Sequence, residues 1–122
     1  MKKVVVVDDD DSMRALMSML LKDSYSVEMA ADGAEGLELV RRVHPDLVVL
    51  DLLMPRMHGF EVCRRIKADA DLAGTKILIS SSKSYQHDVH TAVEETGADD
   101  YIVKHFELDE FQRRVAALLG EN

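Results

Sequence analysis

Asp8, Asp9, Asp51, Ser80 and Lys104 are the side chains of this 122-residue sequence whose types and placement point to chemistry. Each stands just past an apolar run, at residues 3–7, 47–50, 77–79 and 101–103. Runs this short and this apolar read as strands buried on both faces, the habit of a parallel sheet. Parallel strands bring their carboxyl ends to one edge, where open α/β sheets collect ligands. Three carboxylates, a hydroxyl and an ammonium therefore converge. Crowded carboxylates repel one another unless a cation sits among them. Oxygen ligands without His or Cys select a hard ion, and Mg²⁺ takes one or two carboxylates together with waters and a phosphate oxygen. A carboxylate nucleophile, Asp51, beside Mg²⁺ and Lys104 suits phosphoryl transfer onto an aspartate, because that reaction needs mainly positioning and charge neutralisation. Lys104 would pair with Asp51 or with the anion on it, and Ser80 would donate a hydrogen bond to the same anion.

The elements that must position these groups are legible as alternating periods. Met13, Leu16, Met17, Leu20 and Leu21 form one apolar stripe of a first helix, with Arg14 and Lys22 outside it. Tyr25, Val27 and Met29 alternate with polar or small residues as in a strand near a sheet edge. Asp32-Gly33-Ala34-Glu35 then opens a second helix that His44-Pro45 stops near Val43. Phe60, Val62, Cys63 and Ile66 mark a third helix, and residues 68–74 a polar, turn-rich connection. Val89, Ala92 and Val93 mark a short fourth helix closed by Gly97, and Leu108, Phe111, Val115, Leu118 and Leu119 a fifth. Strands alternating with helices imply right-handed β-α-β crossovers and a doubly wound α/β fold with helices on both faces of a five-stranded parallel sheet.

Length bounds the chain to a single domain over residues 1–122. No apolar run approaches a membrane span and the N-terminus lacks the length of a signal peptide, which points to the cytoplasm. A net charge of −8 excludes nucleic acid and anionic membrane as direct partners, both of which require basic clusters. The single Cys63 reads as a small buried hydrophobe.

Val-Val-Asp-Asp at 6–9 with Met13-Arg14, Leu-Asp-Leu-Leu-Met-Pro at 50–55 with Gly59, a strand ending in a hydroxyl, Gly-Ala-Asp-Asp-Tyr at 97–101 and Lys104-His105-Phe106 together resemble the receiver domain of two-component response regulators, of the stand-alone, CheY-like kind. The resemblance covers essentially the whole chain and implies a flavodoxin-like (βα)5 sheet in the order 2-1-3-4-5. It also implies roles: Asp51 as phosphoacceptor, Asp9 as direct Mg²⁺ ligand, Asp8 as the acid reaching the metal through water, the Leu53 carbonyl as backbone ligand, and Lys104 as the invariant lysine. Ser80 and Tyr101 would be the switch pair. Asp10 and Asp11 match nothing chemical in the family and read as helix capping and solvated charge. The family's usual Thr is replaced within Ser80-Ser81-Ser82. Counting back from Gly97 points to Ser82, while the apolar run points to Ser80, chosen because a buried strand should not hold two serines. The usual Lys-Pro is Lys104-His105, which removes the ordinary reason for a cis peptide. His58, where Asp is common, reads as a neutral surface residue.

The function implied is a signalling receiver rather than an enzyme. It takes a phosphoryl group from a histidine kinase or phosphotransfer protein and alters its affinity for a partner protein at the face of the fourth helix, fifth strand and fifth helix, as a monomer or weak dimer. A phosphorylation-independent interaction domain on the same fold is the alternative. A Mg²⁺-dependent aspartyl-phosphate phosphatase of the haloacid dehalogenase kind is disfavoured, because Leu53 stands where such enzymes place a second Asp.

Overall fold

Val4 and Val6 face one side of the sheet and Val5 and Val7 the other, so a run of four β-branched side chains supplies both layers of core at once. The computed structural model describes residues 1–52, 54, 56–82, 93–94 and 96–121. Its elements run β1(Lys3–Val7), α1(Asp11–Leu21), β2(Ser26–Ala30), α2(Gly33–Val43), β3(Leu47–Asp51), α3(Gly59–Ala68), a 3-10 turn at Ala70–Leu72, β4(Lys76–Ser81), β5(Asp100–Val103) and the C-terminal helix α4(Leu108–Leu118). All strand pairs are parallel and the order is β2-β1-β3-β4-β5, as expected. The fourth helix of the sequence reading lies almost entirely outside the described residues. Of its apolar positions Val93 is described and helical, while Val89 and Ala92 are not described.

On one face Val5, Val7, Val48, Leu50, Ile77 and Ile79 pack against Leu37 and Val40 of α2 and Val62, Cys63 and Ile66 of α3. On the other, Val4, Val6, Leu47, Val49, Leu78 and Ile102 pack against Met17 and Leu21 of α1 and Phe111 and Val115 of α4. Each of these side chains contributes about 1.5–3 kcal/mol when fully buried. Cys63 is fully buried, its thiol pushed up by burial, as a small hydrophobe should be.

Strand boundaries differ from the periodicity, and β4 and β5 each begin one residue early, at Lys76 and Asp100. β3 continues through Asp51 and β4 through Ser81, so hydrogen-bonded pairing carries the strands past the end of their apolar runs. β4 therefore contains two serines, Ser80 and Ser81, both buried. The premise that selected Ser80 is corrected: a parallel central strand tolerates small hydroxyls where its end faces a polar cleft. β2 begins at Ser26; Tyr25 precedes it and donates from its hydroxyl to Glu121 at 2.7 Å.

Candidate functional site

β1 and β3 are neighbours, so Asp8 and Asp51 emerge side by side at the carboxyl edge of the sheet. Asp8, Asp9 and Asp51 each offer an oxygen within 4.8 Å of the others. Asp8 and Asp51 are buried and Asp9 is exposed. Lys104, just past β5, reaches across to both buried acids, with Nζ 3.1 Å from Asp8 Oδ2 and 3.4 Å from Asp51 Oδ1. Asp51 Oδ1 also accepts from the Leu52 amide at 2.9 Å, and Asp8 Oδ1 from the Asp10 amide at 2.9 Å. Asp8 Oδ2 is buried and faces the cluster with the Lys104 ammonium beside it. The all-oxygen donor set and the excess of carboxylates over that one ammonium fit a small hard dication.

Burial raises the Asp51 carboxyl to about 6, aided by the charge of Asp8 and opposed by Lys104. Burial pulls Lys104 downward, but Asp51 and Asp8 outweigh it and the ammonium ends above its ordinary value. The cluster thus holds two buried anions against one cation, an imbalance that an added cation would correct.

The surrounding turns are built to this edge. Asp10 caps α1, its Oδ1 accepting from Ser12 and Met13 amides at 2.9 and 3.2 Å, and Asp11 lies in the first turn paired with Arg14. Both therefore serve the helix, as their position suggested. Arg14 does more than the sequence reading assigned: its Nη1 donates to the Asp8 carbonyl at 2.6 Å and holds the acidic corner in place. Beyond Asp51, the Gly59 amide returns to the Leu52 carbonyl at 2.8 Å. A Cβ on Gly59 would lie 2.3 Å from the Asp51 carbonyl oxygen, so only glycine permits α3 to begin there. His58 is not neutral to the fold. Its Nδ1 caps α3 by accepting from the Phe60 amide at 3.1 Å, the task an Asp performs equally well.

The cleft above the acids, about 400 Å³, is lined by Asp9, Asp51, Ser81, Ser82 and Lys104. Ser80 is not among its walls. It pairs in register with Asp51, but its Oγ is fully buried and makes no hydrogen bond. Tyr101 is 39% exposed, and its carbonyl accepts from Arg114 at 2.6 Å. A second groove of about 490 Å³ runs between β5 and α4, walled by Tyr101, Phe106 and Arg114. His105 adopts φ 67°, a left-handed conformation in which His is enriched and which proline's ring cannot reach; no described peptide bond is cis. The Leu53 carbonyl lies outside the described residues.

Known proteins are similar to this chain in sequence and in fold. The family described as the response regulator receiver domain matches residues 4–116. The DNA-binding response regulator MtrA of Mycolicibacterium smegmatis is 38% identical over 122 residues, covering 99% of this chain and 52% of MtrA. The response regulator MprA of Mycobacterium leprae is 42% identical over 118 residues, covering 96% of this chain and 50% of MprA. This chain spans about half the length of these curated relatives. Among solved structures, the chemotaxis protein CheY4 of Vibrio cholerae superposes with a TM-score of 0.89 at 30% identity, covering 97% of this chain and 98% of that one.

Proposed function

Because this chain belongs to the response regulator receiver domain family, we propose that Asp51 accepts a phosphoryl group from a phosphohistidine of a kinase or phosphotransfer protein and that the resulting charge changes the chain's affinity for a protein partner. The observation that carries this reading is the convergence of Asp8, Asp9 and Asp51 within 4.8 Å, with Lys104 ion-paired to the two buried acids. In the transfer, an Asp51 carboxylate oxygen forms a P–O bond as the P–N bond of the donor breaks, and the imidazole leaves. A protonated carboxyl is a poor nucleophile, so Asp51 must act ionised, and the Lys104 charge beside it opposes the upward pull of burial. Mg²⁺, when bound, supplies charge neutralisation for the acids and the phosphoryl oxygens. Asp8 and Asp9 would hold it together with Asp51 and the Leu53 carbonyl. Lys104 moves its contact from the bare carboxylate to the phosphoryl group, and Ser81 and Ser82 line the same cleft, the Ser81 hydroxyl donating to the Ser82 carbonyl at 3.1 Å.

The chain acts on itself and turns over no separate substrate in this reading, and residues 1–122 form one receiver unit working in the cytoplasm. No described helix is long and apolar enough to cross a membrane. The DNA-binding named for MtrA is a property of a protein twice this length. An output by protein contact suits the −8 charge of this chain better than direct contact with nucleic acid. Treatment with acetyl phosphate and Mg²⁺ followed by intact-mass spectrometry tests the assignment: one hydroxylamine-labile phosphoryl group is expected, absent in Asp51→Asn and without Mg²⁺. Label persisting in Asp51→Asn overturns it.

A further inference from the structure

The turn between β2 and α2 lies outside the acid cluster, yet it is tied to both halves of it. Toward β1, the Asp8 amide donates to the Ala30 carbonyl at 3.1 Å, so the buried acid and the end of β2 share one frame. Toward β3, two residues of the loop that follows Asp51 rest on the same turn. Arg56 Nε lies 3.4 Å from Asp32 Oδ2, and the Met57 carbonyl sits against Gly33, where a Cβ would meet it at 2.0 Å. The Asp32 side chain is 8% exposed; its Oδ1 caps α2 through the Glu35 amide at 2.8 Å, which leaves Oδ2 for the guanidinium. Arg56 takes φ 70°, a left-handed conformation uncommon for a non-glycine residue. The acid end of β1 and the loop leaving β3 are thereby indexed to each other through a third element that contributes no ligand.

We infer that Asp32, Gly33 and Arg56 form a latch that sets the loop after Asp51 at the height the magnesium site requires, making Asp32 and Arg56 positioning residues for metal binding. The inference rests on the magnesium site proposed above. The β1–β3 ladder fixes the separation of Asp8 and Asp51, and the latch restrains Arg56 and Met57 beyond it, which matters because a small, octahedral ion such as Mg²⁺ tolerates little misplacement of its ligands. Gly59 anchors the far end of the loop against the Asp51 carbonyl, and the latch anchors its middle.

The test is a Mg²⁺ titration followed by backbone amide NMR at Asp9 and Leu52, with metal-free thermal unfolding measured on the same samples. Arg56→Ala is expected to weaken Mg²⁺ binding about threefold, the factor that one ion pair with an exposed partner carries, while the metal-free melting temperature stays near wild type. Arg56→Lys is expected to recover part of the affinity, and Asp32→Asn, which keeps the cap, to match Arg56→Ala. The double variant is expected to be no weaker than either single one. Gly33→Ala is expected to lose more than tenfold, because Met57 must move; if it fails to fold, Arg56→Ala and Asp32→Asn decide. Wild-type Mg²⁺ affinity in Arg56→Ala and Asp32→Asn overturns the latch while leaving the metal site standing. A wild-type protein that binds no Mg²⁺ overturns the metal site and the latch with it.

Discussion

At the scale of single residues, the site is a buried pair of acids held by one lysine, and the cost of that arrangement is measurable. Asp51 is raised from 3.8 to about 6, chiefly by burial. An acid whose native pKa exceeds its unfolded value keeps its proton longer in the folded state, so the metal-free protein loses stability as pH rises from about 4 through about 6 and stays at the lower level above it. Asp51→Asn removes the penalty. Urea unfolding without metal is expected to show the variant more stable than wild type by about 1–3 kcal/mol at pH 7, with the gap closing at pH 4; saturating Mg²⁺ should narrow it at pH 7. The same scale shows what was legible beforehand. Asp8, Asp9, Asp51 and Lys104 could be read because each ends a strand, and strand ends meet at one edge whatever the loops do. The Arg14 contact with the Asp8 carbonyl and the Asp32–Arg56 pair could not, because the partner is a backbone carbonyl or a side chain more than twenty residues away, and no local period records such a pairing.

At the scale of elements, the acidic run Asp8-Asp9-Asp10-Asp11 divides by geometry rather than by composition. The first two belong to the strand end, and the last two to the start of α1. Asp10→Ala is expected to cost about 1 kcal/mol in urea unfolding through the lost cap, with Mg²⁺ affinity retained within a few fold. Asp9→Ala is expected to abolish measurable Mg²⁺ binding at millimolar concentrations with little effect on stability, its side chain being exposed. Equal metal losses in both would put the ligand register elsewhere. Gly59 makes the complementary case for the loop beyond Asp51. Gly59→Ala must move backbone, not a flexible side chain, and is expected to destabilise by about 1–3 kcal/mol. The element boundaries that the apolar pattern missed, Asp51 within β3 and Ser81 within β4, have one cause: a strand continues as long as its neighbour offers paired backbone groups, and apolar side chains are not required at the edge of a polar cleft.

At the scale of the whole molecule, the question is how a charge placed at the end of β3 is felt at a distance. The sheet order puts β4 and then β5 next to β3, so register runs directly from Asp51 to Ser80 to Ile102, one residue from Tyr101. Ser80 Oγ is buried without a hydrogen bond, which leaves it free to change partner at little cost, whereas Ser81 and Ser82 face the cleft. Tyr101 stands 39% exposed beside the groove between β5 and α4, and Arg114 clamps the two elements by donating to the Tyr101 carbonyl while pairing with Asp100 and Glu110. A phosphoryl group adds nearly two negative charges, enough to bias two states that differ by a few kcal/mol. Beryllofluoride with Mg²⁺ mimics that group without covalent chemistry. Its addition is expected to shift amide signals at 80–82 and 101–106 beyond those of Asp8, Asp9 and Asp51, and Arg114→Ala is expected to enlarge the response by loosening the clamp on β5. Signals that move only at the three acids, with residues 101–106 unchanged in both proteins, would mean that the phosphoryl group is stored and not transmitted.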